Sequence, residues 1–158
     1  LAGYALGARF GLVLGMLTIL GSGIIMGGIG PWTAFQMFAA GWVGAGAGLL
    51  PRLRALHGRI RTVAETALLV GYGIIASYLF GAIMNLWFWP FAVGTTASIG
   101  YVPGGDVTVN LEHFAVYTLV TSTLTWDTVR ALTTTIGIIV AGPMILAALS
   151  RAKVAVRR

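Results

Sequence analysis

Four long apolar runs follow one another along the chain, at about 10–29, 32–50, 66–89 and 127–150. The hydrocarbon core of a bilayer is about 30 Å thick and takes about twenty helical residues to cross, which matches the length of each run. Charged residues fall almost entirely between the runs. The pattern predicts an all-α integral membrane protein, a helical bundle with four transmembrane spans in a single membrane domain over residues 1–158.

The segment at about 90–125 separates the third and fourth spans, and we predict an external loop followed by a helix that dips against the bundle. The apolar, Thr-rich stretch Leu111–Thr125 is too short to cross the membrane and return. A helix unbroken from there to Ser150 would be about 60 Å long at about 1.5 Å per residue. That length is twice the membrane thickness, so we expect a break near Thr125.

The basic residues divide unevenly between the two ends of the predicted spans. When the spans are threaded alternately, only Arg130 of the ten basic residues lies toward one side. Short loops rich in Lys and Arg remain cytoplasmic, so we predict a multi-pass protein with a cytoplasmic C-terminus. The nine residues on the predicted cytoplasmic side are Arg9, Arg52, Arg54, Arg59, Arg61, Arg151, Lys153, Arg157 and Arg158.

Composition supports a membrane class and argues against several kinds of chemistry. The chain is 58% hydrophobic and 9% charged, whereas soluble domains are about 25% charged. The net charge of +6 lies in the predicted cytoplasmic segments, so it indicates membrane orientation and not nucleic-acid binding. With no cysteine, two histidines and four acidic residues, the chain offers little for a metal site. It also lacks a phosphate-binding loop, a dinucleotide fingerprint and a Ser/His/Asp grouping. We therefore expect no enzymatic activity, no catalytic residue and no cofactor.

Small residues recur at four-residue spacing in the first two spans. This spacing places them on one face of a helix, where two backbones can approach closely. Two interpretations remain open: packing inside the bundle, or a smooth face that docks against a partner membrane protein. The residues concerned are Gly7, Gly11 and Gly15 in the first run, and Ala40, Gly44 and Gly48 in the second.

Polar and aromatic side chains gather toward the predicted external ends of the spans. Polar groups at membrane depth are costly in lipid and usually face a cavity or a partner. Their distribution predicts an outward-facing bowl with a sealed floor, which binds a substrate. The candidate substrate-binding residues are Trp32, Gln36, Asn85, Trp89, Asn110, His113, Trp126, Asp127 and Arg130.

Each candidate also has a purely structural interpretation. The tryptophans are typical of the aromatic belt at a membrane surface. Asp127 and Arg130 are three residues apart and could pair with each other on a helix. Asn85 and Trp89 are four residues apart on one helix face, so we predict that they share a pocket wall while Trp87 points elsewhere.

Three stretches together resemble a known transporter family. They are GGIGPWTAFQMFAAGWVGAGAGLLPR (Gly27–Arg52), MNLWFWPF (Met84–Phe91) and TLVTSTLTWD (Thr118–Asp127). In combination they are similar to the membrane S component of energy-coupling factor (ECF) transporters, specifically the actinobacterial group linked to cobalamin.

The resemblance implies a vitamin-binding subunit of an importer in the bacterial cell membrane. S components bind a vitamin in an outward-facing pocket, work with a T component and two cytosolic ATPases, and hydrolyse nothing themselves. The family's contact loops correspond to Gly27–Trp32 and to the stretch from Pro90 to the start of the last span, which adds Tyr101 to the candidate site. The resemblance favours cobalamin as the vitamin.

The family has six helices, and the four spans here resemble its third to sixth. We therefore expect upstream helices to be missing, with only a tail at Leu1–Leu6. Two other classes remain open: a small homodimeric membrane exporter, and a membrane scaffold subunit that does not transport. The exporter would need an acidic residue within its early spans, and none occurs between Phe10 and Leu50.

Overall fold

The structure of the protein is a computed structural model that describes residues 1–53, 55–92 and 99–156, with side chains up to residue 152. Arg54, Arg157 and Arg158, three of the predicted cytoplasmic basic residues, lie outside this part of the chain, as does the side chain of Lys153. All regular elements within it are helical. The helices are α1 (Ala2–Leu6), α2 (Ala8–Met26), α3 (Thr33–Leu49), α4 (Gly58–Phe88), α5 (Val107–Thr118) and α6 (Thr128–Val156).

Three segments, rather than the predicted four, are helical, long and apolar enough to cross a membrane in the described residues. They are Ala8–Met26, Gly58–Phe91 and Val107–Ala152, with mean hydropathies of 1.8, 1.9 and 2.0. The second predicted span forms α3, which is only 17 residues long. At about 1.5 Å per residue, α3 extends about 25 Å, which is short of a 30 Å hydrocarbon core.

The expected helix break near Thr125 is not present. Instead a π-helical segment, Leu119–Asp127, joins α5 directly to α6, so that helical structure continues from Val107 onward. A π-helix bonds each N–H to the carbonyl five residues back and widens the turn without ending the helix. The hydrogen-bonding register of the helix therefore changes in this segment, where the sequence predicted that one helix ends and another begins.

Glycine allows α2 and α3 to pack in backbone contact. A Cβ atom at Gly11 would overlap the carbonyl oxygen of Gly44, and one at Gly15 would overlap that of Ala40. At the inner end of α3, Gly48 lies equally close to Ala8. The small-residue faces are thus occupied within the chain, which supports their interpretation as packing surfaces.

A second group of helices forms around α4 and α6, which pack along each other, and the π segment also packs against α4. The two groups are joined where the hydroxyl of Tyr72 on α4 donates a hydrogen bond to the carbonyl oxygen of Val43 on α3, at 2.6 Å. The short helix α1 contacts α2, α3 and α6. Gly7 forms the bend between α1 and α2 with a φ of 111°, a conformation that residues with a Cβ rarely adopt.

Candidate functional site

A chain of hydrogen bonds links α4 to the π segment and to the start of α6. The amide of Asn85 donates to Oγ of Ser122 at 2.9 Å, and that hydroxyl donates to Oδ2 of Asp127 at 2.6 Å. Arg130 donates from Nη1 to the other carboxylate oxygen, Oδ1, at 2.5 Å. We call these four residues the polar chain.

The π segment places two members of the polar chain on the same side of the helix. Ser122 and Asp127 are five residues apart, the spacing at which residues stack in a π-helix. Thr128 repeats this spacing, since its hydroxyl donates to the carbonyl oxygen of Thr123 at 2.7 Å. In a regular α-helix the five-residue spacing would rotate these side chains apart. Single π-helical turns occur frequently at functional sites.

Asp127 is the most completely enclosed large side chain among the described residues, with 1% of its surface exposed. The carboxylate lies directly against Gly81 on α4, where a Cβ atom would overlap both carboxylate oxygens. A buried carboxylate is tolerated only when it is paired and hydrogen-bonded. Both of its oxygens are bonded, one to Ser122 and the other to Arg130.

Arg130 is held at three points on α4 and the π segment. Beyond its ion pair with Asp127, it donates from Nη1 to the carbonyl oxygen of Ser77 at 3.2 Å. Its guanidinium carbon lies 4.8 Å from the centre of the Phe80 ring, a cation–π arrangement. The side chain remains 38% exposed, and neither Nε nor Nη2 has a hydrogen-bond partner in the part of the chain that the structure describes.

The ion pair packs against the middle of α4, two to three helical turns before Trp89. Gly81, which contacts Asp127, precedes Trp89 by eight residues, or about 12 Å along α4. Ser77, which contacts Arg130, precedes Trp89 by twelve residues, or about 18 Å. For a 30 Å hydrocarbon core that begins near Trp89, the pair lies close to the centre.

An apolar groove runs beside the polar chain, between α3 on one side and α4 and α6 on the other. Arg130, Ser77 and Phe80 line one cavity of about 180 Å³. A second cavity, of about 250 Å³, extends from it toward α1. The residues common to both cavities are Ala40, Val43, Gly73 and Thr134. The groove combines apolar walls with guanidinium donors that have no hydrogen-bond partner among the described residues.

Trp89 belongs to a separate aromatic cluster outside the polar chain. Its indole N–H donates to the carbonyl oxygen of Ile99 at 2.8 Å. Its ring meets Tyr101 edge-on and Phe114 at a tilt, each at a centroid distance of 5.3 Å. Trp89 is buried, so it anchors the end of the external loop and does not form part of an exposed belt.

Asn110 and His113 hold the same loop from α5. The Asn110 side chain accepts from the N–H of Val102 at 2.9 Å and donates to its carbonyl oxygen at 3.0 Å. His113 Nδ1 lies 2.8 Å from the carbonyl oxygen of Gly100. With Trp89 and Tyr101, these side chains pin the loop residues 99–102 to the bundle, and their hydrogen bonds are directed at backbone.

The remaining predicted site residues lie apart from both clusters. Trp126 is 70% exposed and Trp32 is 44% exposed, and Gln36 is half-buried with no side-chain hydrogen bond to any described residue. Trp87 stacks on Phe35 of α3 with ring centroids 4.6 Å apart. It therefore faces the opposite group of helices from the partners of Asn85 and Trp89.

Four residues that contact Asp127 or Arg130 were not predicted from the sequence: Ser77, Phe80, Gly81 and Ser122. A usable signal was present on α4, where Ser77, Gly81 and Asn85 follow at four-residue spacing and define one face of small and polar residues. No comparable signal marks Ser122, because its five-residue spacing from Asp127 gains meaning only in a π-helix.

Comparisons with known proteins identify no relative of this chain. No protein-family model, no curated protein and no solved structure matches it. The fold and the site therefore define the protein as an all-helical bundle in its described residues, with three apolar segments able to cross a membrane and a buried polar chain beside an apolar groove.

Proposed function

We propose that this chain is the substrate-binding membrane subunit of an ECF-type vitamin importer, and that cobalamin is its vitamin. One observation carries the proposal. Two of the stretches on which the resemblance rests meet in space, because Asn85 of MNLWFWPF bonds to Ser122 of TLVTSTLTWD, 37 residues away. A shared role in one ligand site gives a physical reason for both stretches to carry polar groups.

The polar chain is suited to recognising a neutral, amide-rich ligand. Polar groups buried in a membrane bundle are costly and typically mark binding or transport. The carbonyl oxygen of Asn85 accepts no hydrogen bond from any described residue, so it remains available to a ligand donor. The two cavities of the groove, about 180 and 250 Å³, are smaller than the roughly 300–1,000 Å³ of sites that enclose a drug-sized ligand. The choice of cobalamin therefore rests on the resemblance, and it requires the groove to widen when the vitamin binds.

The proposed partners are an ECF T component and two cytosolic ATPases. The chain has no phosphate-binding loop of its own, so uphill transport needs energy from another subunit. In the proposed arrangement the chain is a multi-pass protein of the bacterial cell membrane, with its C-terminus in the cytoplasm. Nine of ten basic residues lie toward that side, in agreement with the positive-inside rule.

The direct test is equilibrium binding of labelled cobalamin to the purified protein in lipid nanodiscs. Removing a buried hydrogen-bond partner costs about 1–3 kcal/mol, or about tenfold in affinity per 1.4 kcal/mol. Asn85→Ala should therefore weaken binding about tenfold or more, while Trp87→Leu, which loses ring contacts with Phe35 and Phe88 outside the polar chain, should bind nearly as the wild type does. Unchanged affinity in Asn85→Ala with loss in Trp87→Leu would reject this site.

Partner identity separates the proposal from the two other classes. Purification from native membranes in mild detergent should recover a T component together with ATPase subunits. A homodimer that moves substrate without ATP would indicate an exporter. Recovery of other membrane subunits with no bound vitamin would indicate a scaffold.

A further inference from the structure

A second polar cavity lies at the opposite end of the bundle from the polar chain. It has a volume of about 190 Å³ and is enclosed by α1, α4, α6 and the segment after α3. Along α4, Glu65 in its wall precedes Ser77, which contacts Arg130, by twelve residues and Asn85 by twenty, so it lies about 18 to 30 Å from the members of the polar chain. The lining residues are Tyr4, Ala5, Arg52, Arg61, Glu65, Leu146 and Ser150.

The only acidic residue in this lining is already bonded. Oε1 of Glu65 accepts one hydrogen bond from the Tyr4 hydroxyl at 3.1 Å and one from Nε of Arg61 at 3.1 Å. The two Nη groups of Arg61 and the entire guanidinium of Arg52 have no partner among the described residues. The lining contains two arginines and one glutamate, which gives it a net charge of +1, and guanidinium N–H groups of both arginines remain without a hydrogen-bond partner among the described residues.

The cavity is closed at its base and open at its rim. Tyr4 is 6% exposed, and Leu146 beside it is half-buried. Arg52, Arg61 and Ser150 at the rim are all exposed. An anion could therefore reach the guanidinium groups from outside while its less polar part rests on the base.

The rim also lies near the ends of α3, α4 and α6, where helices that cross a membrane would leave it. Arg52 follows the end of α3, Arg61 lies in the first turn of α4, and Ser150 is near the end of α6. Phosphate groups of phospholipids lie at this level, and basic cavities between the cytoplasmic ends of membrane helices bind anionic headgroups. Guanidinium groups suit phosphate because their N–H donors match its oxygens in pairs.

We propose that this cavity binds a phosphate group, supplied by the headgroup of an anionic phospholipid. Its volume is below the roughly 300–1,000 Å³ of sites that enclose a whole drug-sized ligand, so it takes a headgroup while the acyl chains remain in the bilayer. The inference requires only that the protein resides in a membrane, and it does not depend on the proposed vitamin site.

The test is native mass spectrometry of the protein released from nanodiscs that contain phosphatidylglycerol and phosphatidylcholine in equal amounts. The wild type should retain phosphatidylglycerol in preference to phosphatidylcholine, and Arg52→Gln should reduce that retention about fivefold or more. Arg52 is exposed and makes no hydrogen bond or ion pair with any described residue, so the variant should fold. Arg61→Lys, which keeps the charge but removes the paired donors, should reduce retention in the same direction.

Arg59→Gln is the matched control. Arg59 is an exposed arginine on α4, the helix that carries Arg61, but it is not part of the cavity lining. Its retention of phosphatidylglycerol should equal that of the wild type. Equal losses in Arg59→Gln and Arg52→Gln would show general attraction to surface charge and would overturn the proposal.

The source of the phosphate is tested with inorganic phosphate in nanodiscs of phosphatidylcholine alone. Weak or absent binding of inorganic phosphate, together with selective lipid retention, supports the headgroup. Binding of inorganic phosphate that depends on Arg52, without selective lipid retention, would overturn the lipid as its source. Absence of both would overturn the phosphate site itself, while cobalamin binding would be unaffected.

Discussion

Arg130 and Asp127, three residues apart, form an ion pair in which the carboxylate is 1% exposed and the guanidinium side chain 38% exposed. The carboxylate is enclosed between Gly81 and Ser122, while the guanidinium reaches across to α4 and the groove. The negative member is therefore fixed by the bundle, and the positive member presents unpaired donors. This asymmetry makes Asp127 a positioning group and Arg130 the member able to meet a ligand.

Neutralising Asp127 should destabilise the bundle. Removing one partner of a fully buried ion pair costs about 3–5 kcal/mol, but the Arg130 side chain that would be left unpaired is 38% exposed, so solvent screens its charge. We therefore expect Asp127→Asn to lower the free energy of unfolding by less than about 3 kcal/mol, measured by denaturant titration in detergent micelles. The double variant Asp127→Leu/Arg130→Met should be far closer to the wild type, since it removes both charges. Equal destabilisation by the double variant would contradict this account of the pair.

The same variant separates a structural role from a ligand-binding role. If Asp127 only pairs with Arg130, the folded fraction of Asp127→Asn should bind cobalamin with nearly wild-type affinity. A fall in affinity at an unchanged folded fraction would show that the carboxylate itself contacts the vitamin. Measuring binding per folded molecule, by size-exclusion followed by titration, distinguishes the two.

Gly81→Ala should disturb the polar chain directly. The new methyl group would overlap the Asp127 carboxylate, and overpacking of this kind costs about 1–3 kcal/mol. Gly71→Ala is the matched control on the same helix, because a Cβ there has no heavy atom within 4 Å. It should be neutral or slightly stabilising, since alanine favours helix over glycine by about 1 kcal/mol. Thermal unfolding of both proteins in the same detergent checks the prediction.

Gly44→Ala should separate α2 from α3. A Cβ at Gly44 would overlap the backbone carbonyl of Gly11, and a backbone cannot move aside as a flexible side chain can. We expect destabilisation of about 1–3 kcal/mol and weaker cross-linking between cysteines placed on the two helices. In contrast, Gly21→Ala on α2, where a Cβ has open space, should leave both measurements unchanged.

Asp106 caps α5, and its carboxylate should make the first turn of that helix sensitive to acid. The carboxylate accepts hydrogen bonds from the N–H groups of Thr108 and Val109, and these bonds hold the pKa of Asp106 below its ordinary value. A lowered pKa in the folded state contributes stability above the unfolded pKa of about 3.9. That contribution is lost as the pH falls below 3.9 and through the folded pKa.

Amide hydrogen exchange at Thr108 and Val109, corrected for intrinsic rates, measures this effect. Protection should be constant above about pH 5 and should fall below about pH 4. Asp106→Asn, which keeps an N-cap side chain, should abolish the pH dependence while retaining most of the protection. Asp106→Ala should lose protection at every pH. Acid sensitivity that persists in Asp106→Asn would assign the effect to another group.

Single cysteines test the predicted orientation, since the native chain has none. Arg59→Cys and Val107→Cys both lie at exposed positions. An impermeant maleimide applied to intact cells should label Val107→Cys, and Arg59→Cys only after the cells are opened. Labelling of Arg59→Cys in intact cells would reverse the topology.

The pattern of apolar runs by itself determined that this protein is helical, that its helices are suited to lipid, and where α2 lies to within a few residues. These properties are local, because burial in a bilayer depends on the hydropathy of about twenty consecutive residues. The four-residue spacing of Gly11 and Gly15 likewise predicted a close-packing face from the sequence. The spacing did not identify the helix that packs against this face, because α3 and a helix of another protein would both need the same small residues for close contact.

Tertiary structure alone decided the depth of the ion pair, the use of the glycine faces and the separation of Trp89 from Asn85. The position of the ion pair along α4 depends on how α6 is aligned against that helix. The π segment changes this alignment, and the hydropathy of the sequence does not reveal the change. The spacing of Asn85 and Trp89 predicts that they share a pocket wall, yet the two side chains bond to different distant segments, Asn85 to Ser122 and Trp89 to Ile99. Spacing along one helix specifies the direction of a side chain, whereas its partner depends on how the other helices pack.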